Sequence, residues 1–207
     1  SRKCDNLWEK VLLMWIYVSK NLNHYNWFVK TDVDTYVFVN NFHLYLQHYK
    51  PTEELYLGHT VEHNGPIAYN SGGFYLISQS TLHRLEYILN TSMCPMQMGG
   101  IEDVRFADCL YKLKILPQTI LDSRGRETVL LLPLRDHLSL DPASSLYERK
   151  HVWYFHKTAQ KNFKTRCCSF VPIAFHWIKT DYEFYDLHNA VMGNSNSKHT
   201  VVKKYIG

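Results

Sequence analysis

The chain has 207 residues, 45% of them hydrophobic and 20% charged, which is enough apolar material for one domain with a real core and excludes disorder over most of its length. A formal net charge of +4, with Lys and Arg dispersed among acids and aromatics, does not favour nucleic acid as a partner. The longest apolar run, Val11 to Val18, falls well short of the roughly 20 residues that span a bilayer, and no signal-peptide cleavage pattern accompanies it.

The first predicted element is a helix from Asp5 to Leu22, capped by Asp5, with Leu7, Val11, Met14, Trp15, Val18 and Leu22 on one apolar stripe. A strand at Trp27-Phe28-Val29 then runs into Asp32-Val33-Asp34, and a second aromatic and β-branched run, Tyr36-Val37, follows directly. Charges interrupt strands mainly at their ends, so the two aspartates are expected on a tight turn at the rim of the sheet. Two carboxylates in a strand-like Asp-x-Asp point the same way and repel unless a cation neutralises them. Mg²⁺ or Mn²⁺ does so with one or two carboxylates, completing its shell with phosphate oxygens and water, and the chemistry indicated is diphosphate binding. An ordinary solvated turn accounts for the same tripeptide taken alone.

Asn40 or Asn41 is expected to cap a second helix through Tyr49, stopped by Pro51. Leu55 to Gly58 reads as a strand, Glu62 to Ile67 as a loop, and Phe74 to Ser78 as a strand behind Ser71-Gly72-Gly73. The glycine pair admits close approach by a ligand or by a neighbouring strand. Ser80 is read as the cap of a helix to Leu89, and Ile101 to Leu113 as another whose first turn holds Glu102 and Asp103. Acids there complement the helix dipole or, alternatively, supply a catalytic base. Cys94 and Cys109 bracket that helix start, and a disulfide between them closes a loop of about 15 residues, worth roughly 3 kcal/mol in loop entropy.

The five cysteines include no pair of Cys-x-x-Cys knuckles, so disulfides in an oxidising compartment are favoured over zinc. The sequon Asn90-Thr91-Ser92 agrees with a secretory setting. Beyond Ile115, strand-like and turn-like pieces alternate, Asp122-Ser123-Arg124-Gly125 being the clearest turn. His151 to His156 is aromatic-dense, a strand is read ending at His176, and Asp181 to Met192 is a last helix. His176 is one of 12 histidines, and on pattern alone it is a structural residue. Residues 1–192 thus form the domain, and 193–207 a polar tail.

Taken together, Trp27-Phe28-x-Lys30-x-Asp32-x-Asp34-Thr35-Tyr36, Leu57-Gly58, Ser71-Gly72-Gly73, Ile101-Glu102-Asp103, Asp122-Ser123-Arg124, Cys167-Cys168-Ser169 and Phe175-His176 resemble the core 1 β1,3-galactosyltransferases of the β1,3-glycosyltransferase superfamily. The resemblance implies an α/β fold of GT-A type, a mixed sheet flanked by helices, here without the first nucleotide-binding strands. It implies an inverting transfer of galactose from UDP-galactose to the 3-hydroxyl of GalNAc on Ser or Thr of glycoproteins, with Mn²⁺ or Mg²⁺ as cofactor. By position, Asp32, Asp34 and His176 match the metal ligands and Asp103 the catalytic base. Lys30, Gly72 and Gly73 match the diphosphate side, and Glu102, Trp153 and Tyr154 the acceptor side. The resemblance further implies a Golgi or endoplasmic reticulum lumen, membrane attachment through an N-terminal anchor absent from this chain, and a homodimer or chaperone partner. Gly72-Gly73-Phe74-Tyr75 and Leu57-Gly58-His59-Thr60 are similar to Cosmc, the non-catalytic chaperone paralogue, which is the alternative reading.

Overall fold

The computed structural model describes residues 6–62, 67–91, 93–94, 100–132 and 168–192. Trp153, Tyr154, Cys4, Cys167, the Asn90 side chain and the tail at 193–207 lie outside the described residues. The described part is a mixed α/β fold of GT-A-like character, built on two small sheets.

The larger sheet has the order β1 (Trp27–Thr31), β4 (Ala68–Ser78), β3 (Tyr56–Glu62), β5 (Pro117–Thr119); β4 is antiparallel to both its neighbours and β3 is parallel to β5. The smaller has the order β2 (Tyr36–Val37), β7 (Ala174–Phe175), β6 (Val129–Leu130). Among the described residues, five helices surround them: α1 (Leu7–Asn21), α2 (Val39–Leu46), α3 (Gln79–Asn90), α4 (Glu102–Lys112) and α5 (Asp181–Met192). Among the described residues, no helix is long and apolar enough to cross a membrane.

The alternation of side chains along β4 decides what packs on each face. Tyr75 and Ile77 join Phe28 and Tyr56 under α1, α3 and α4, against Trp8, Trp15, Leu82 and Phe106. Phe74 and Leu76 face the other way, onto Phe42 of α2 and onto Ile120, Val129 and Ile173 from the smaller sheet and its approaches. With both faces covered, β4 has no polar alternation to read and is buried from Gly72 to Ser78. A third cluster, around Phe38, Leu130, Phe175 and Leu187, seats α5 against the small sheet.

Several sequence expectations shift in detail. The buried stripe of α1 is Trp8, Val11, Leu12, Trp15 and Ser19, whereas Leu7 and Met14 are exposed. The stripe is rotated because the two indoles fill the space over Tyr75 and Phe106: Trp15 stacks on Phe106 at 5.2 Å and donates from Nε1 to the Tyr75 hydroxyl at 3.4 Å. Helix α2 starts at Val39 with no side-chain cap, since Asn41 instead donates to the Pro172 carbonyl. Ser78, not Ser80, caps α3, its hydroxyl accepting from the Thr81 amide at 3.2 Å. The strand expected from Phe74 begins at Ala68, so Ser71-Gly72-Gly73 lies inside β4 and not ahead of it. Helix α5 has the predicted bounds.

Candidate active site

The site forms where the two sheets meet. At the end of β1 the chain turns through Asp32 to Thr35, the Thr35 amide donating to the Asp32 carbonyl at 3.2 Å. Thr35, buried, clamps this turn to the middle of β4 by donating from Oγ1 to the Gly73 carbonyl at 2.7 Å, and the Asp32 amide approaches the same oxygen at 3.3 Å. From the other sheet, the His176 amide donates to the Leu130 carbonyl at 2.8 Å and the Ile178 amide to the Asp34 carbonyl at 3.0 Å. Backbone bonds on both sides of His176 thereby fix the imidazole over the aspartate turn.

His176 Nε2 lies 3.2 Å from Asp34 Oδ1 and 3.6 Å from Asp32 Oδ2. Each of the three residues offers one ligand atom, all within 4.8 Å of one another. Burial lowers the His176 pKa against the raising effect of Asp34 and Asp32, so the ring favours the neutral form that ligates metals. Burial alone would raise Asp34, but the Lys179 hydrogen bond and the charges of His176 and Lys179 outweigh it and hold the carboxyl below its ordinary value. Two hard carboxylate oxygens with one imidazole, partly open to solvent, form a donor set that fits Mn²⁺ or Mg²⁺ with positions left for phosphate oxygens and water.

The glycine pair makes the arrangement sterically feasible. A Cβ on Gly73 would sit 2.5 Å from His176 Cγ and 2.6 Å from Nδ1, so the ring packs directly on the bare backbone of β4. A Cβ on Gly72 would meet Glu102 Oε2 at 3.0 Å and Lys30 Nζ at 3.2 Å. Of the two approaches that the sequence leaves open, by ligand or by neighbour, the structure displays a close neighbour at each position.

Lys30, pointing from β1 toward α4, links the metal-type cluster to the first turn of that helix. Its Nζ donates to Asp32 Oδ1 at 2.7 Å, to the Gly72 carbonyl at 2.7 Å and to Glu102 Oε2 at 3.2 Å. Burial alone would lower its pKa, but the charge of Glu102 and the hydrogen bond and charge of Asp32 together raise it, keeping the ammonium charged. Glu102, 4% exposed, also accepts from the Tyr75 hydroxyl at 2.9 Å. It therefore faces the core, with both carboxylate oxygens engaged. Burial pushes its pKa up, against the lowering effect of Lys30.

Asp103 is the less buried residue of the two. Its Oδ2 accepts from the Gly72 amide at 2.9 Å and its Oδ1 from the Val104 amide at 2.9 Å. Burial pushes its pKa above its ordinary value, and the two amides and Lys30 only partly offset this. A carboxylate with raised proton affinity, fixed by two backbone bonds, is suited to take a proton from a hydroxyl. Cys94 and Cys109 are joined in a disulfide, with Cα atoms 5.4 Å apart, tying the approach to α4 to its middle. Cys168 is also disulfide-bonded.

Residues 3–88 match the Fringe-like family. That Fringe-like region contains α1, the aspartate turn, Lys30 and the glycine pair, and it ends within α3. Over 180 residues, 86% of this chain, the sequence is 29% identical to the glycoprotein-N-acetylgalactosamine 3-beta-galactosyltransferase 1 of Xenopus laevis. The match takes in 49% of that protein, so the chain spans about half the length of its relative. The similarity to core 1 β1,3-galactosyltransferases first drawn from motifs therefore extends over most of the chain.

Sequence reasoning overlooked Lys179, which the fold brings to Asp34, and Trp177, which lies beside it. Lys179 Nζ pairs with Asp34 Oδ2 and lies 5.5 Å from the centroid of the Trp177 ring. Trp177 adopts a left-handed backbone, φ 66°, where the chain turns from β7 to place Ile178 against Asp34. Neither belongs to a recognisable motif; proximity to His176 in sequence was the sole available signal.

Proposed function

We propose that this chain carries the catalytic core of an inverting, metal-dependent glycosyltransferase that moves galactose from UDP-galactose to the 3-hydroxyl of GalNAc on Ser or Thr of a glycoprotein. The single observation that carries this reading is the convergence of Asp32, Asp34 and His176 beside a separately held carboxylate, Asp103, with Lys30 between them. The Xenopus relative is by name a galactosyltransferase acting on glycoprotein N-acetylgalactosamine, which supports the choice of transferred sugar and acceptor.

In this reading Asp32, Asp34 and His176 hold the divalent ion, Mn²⁺ or Mg²⁺. The ion, when bound, supplies charge stabilisation to the departing UDP. Asp103 takes the proton from the acceptor 3-hydroxyl as that oxygen attacks the anomeric carbon from the face opposite UDP, and the attack inverts the centre. General-base assistance of this kind contributes about 10²–10⁴-fold. Lys30 keeps Asp32 oriented and neutralises the buried Glu102, so the site does not accumulate four unpaired carboxylates. The Cys94–Cys109 disulfide supports an oxidising secretory lumen as the working compartment.

The test is calorimetric titration of UDP in the presence of Mn²⁺ into the protein at its natural extent, with Asp34→Ala as control, followed by transfer assays on a GalNAc-Thr peptide. Metal-dependent micromolar binding lost in the variant, together with transfer, is the expected result. A folded protein that binds no UDP would refute the transferase reading and support the chaperone-like one.

A further inference from the structure

We infer that Lys179 is a diphosphate-binding residue held on Asp34 until metal and nucleotide arrive, and that it couples the binding of the two. The inference rests on the metal-dependent reading above.

Asp34 presents different oxygens to different partners. Oδ1 faces His176 Nε2 and belongs to the converging ligand set, while Oδ2 is paired with the Lys179 ammonium. Asp32 is arranged in the same way, with Oδ2 toward His176 and Oδ1 on Lys30. The two lysines differ in their freedom to move. Lys30 has a 9% exposed side chain and is fixed by Glu102 and the Gly72 carbonyl as well, so it stays in place. Lys179 has a 60% exposed side chain, and its one charged partner among the described residues is Asp34. Its chain lies near the Trp177 ring, whose face gives a cation a second resting place.

A divalent ion held by Asp34 places two positive charges beside the ammonium, and like charges this close repel. The ammonium then leaves Oδ2, but its backbone is anchored near the cluster, because the adjacent Ile178 amide is bonded to the Asp34 carbonyl. The nearest site for the charge is on the anion that completes the metal's shell. Phosphate oxygens fill that position in sites of this donor type, and a flexible lysine binds them as a point charge. The exchange is therefore Lys179 to carboxylate in the free protein, and Lys179 to diphosphate once metal and nucleotide are bound. Lys179 opposes metal binding alone and assists the binding of metal with nucleotide.

Opposite signs in one variant distinguish this from a structural role. With the whole protein, the affinity for Mn²⁺ alone is read from the free-ion resonance signal, and the affinity for UDP at saturating Mn²⁺ by calorimetry. Lys179→Met is expected to bind Mn²⁺ about two- to fivefold more tightly, the size of an exposed ion pair that no longer has to be broken. It is expected to bind UDP roughly ten- to hundredfold more weakly, as on losing a charge-assisted bond to a phosphate. Lys179→Arg should restore wild-type values for both. Two unchanged affinities, or two weakened ones, in a Lys179→Met protein that melts like wild type overturn the inference while the transferase reading stands. Failure of the wild-type protein itself to bind UDP with Mn²⁺ overturns both.

Discussion

Gly73→Ala tests the assembly of the site through one methyl group. Gly73 lies in β4 with ordinary extended backbone, so alanine is conformationally acceptable and would by itself restrict the unfolded chain. The consequence is steric: the added Cβ would be 2.5 Å from His176 Cγ, 2.6 Å from Nδ1 and 3.0 Å from Cδ2. Ordinary contact begins near 3.4 Å, so the ring has to withdraw by about 1 Å. The His176 backbone cannot follow easily, because its own amide is bonded to Leu130 and the Ile178 amide to Asp34. The side chain therefore rotates, and Nε2 moves away from Asp32 and Asp34. Partial loss of one ligand of three is expected to weaken Mn²⁺ binding by about 10–100-fold, equivalent to roughly 1.4–2.7 kcal/mol. Gly72→Ala is the internal comparison. Its Cβ would meet Glu102 Oε2, Lys30 Nζ and Asp103 Oδ2 at 3.0 Å or more and would not touch His176, so Mn²⁺ affinity should fall less than in Gly73→Ala. Mn²⁺ titration with a parallel thermal melt reads both variants. Wild-type Mn²⁺ affinity in Gly73→Ala would refute the claim that His176 is positioned by its contact with bare β4 backbone.

The raised pKa of Asp103 sets the direction of a pH effect: in the proposed mechanism the base works deprotonated, so kcat should fall as pH drops through a value above that of an ordinary aspartate. Asp103→Asn should remove that limb and about 10²–10⁴-fold of the rate. The folded state binds the Asp103 proton more tightly than the unfolded chain does, so the ionised carboxylate weakens the fold at neutral pH. The melt of Asp103→Asn should consequently drop by no more than about 1 kcal/mol, the worth of the one backbone bond that asparagine cannot accept. A limb that persists in the variant would assign the base elsewhere. For the disulfide, replacing both Cys94 and Cys109 with Ala should cost about 3 kcal/mol in denaturant unfolding, and an unchanged midpoint would show that the crosslink does not restrain the unfolded chain.

The sequence by itself determined the α/β class, most of the element order and the aspartate turn, because these depend on interactions within a few residues: side-chain periodicity, turn chemistry, and a charged pair ending an apolar strand. It also located Asp103 in a first helical turn and paired Cys94 with Cys109. His176 was legible only through resemblance to a family, since one histidine among 12 has no local signature. The tertiary structure decided which face of α1 is buried, because the two indoles follow the space beside Tyr75 and not the simplest helical stripe. It decided the orientation of Glu102, turned inward by Tyr75 and by a lysine 72 residues away in sequence. It brought Lys179 to Asp34 across 145 residues, where no motif links them. Electrostatic partners of this kind are selected by packing two sheets against each other, and a pattern read along one strand or helix contains no information about what the other sheet places opposite it.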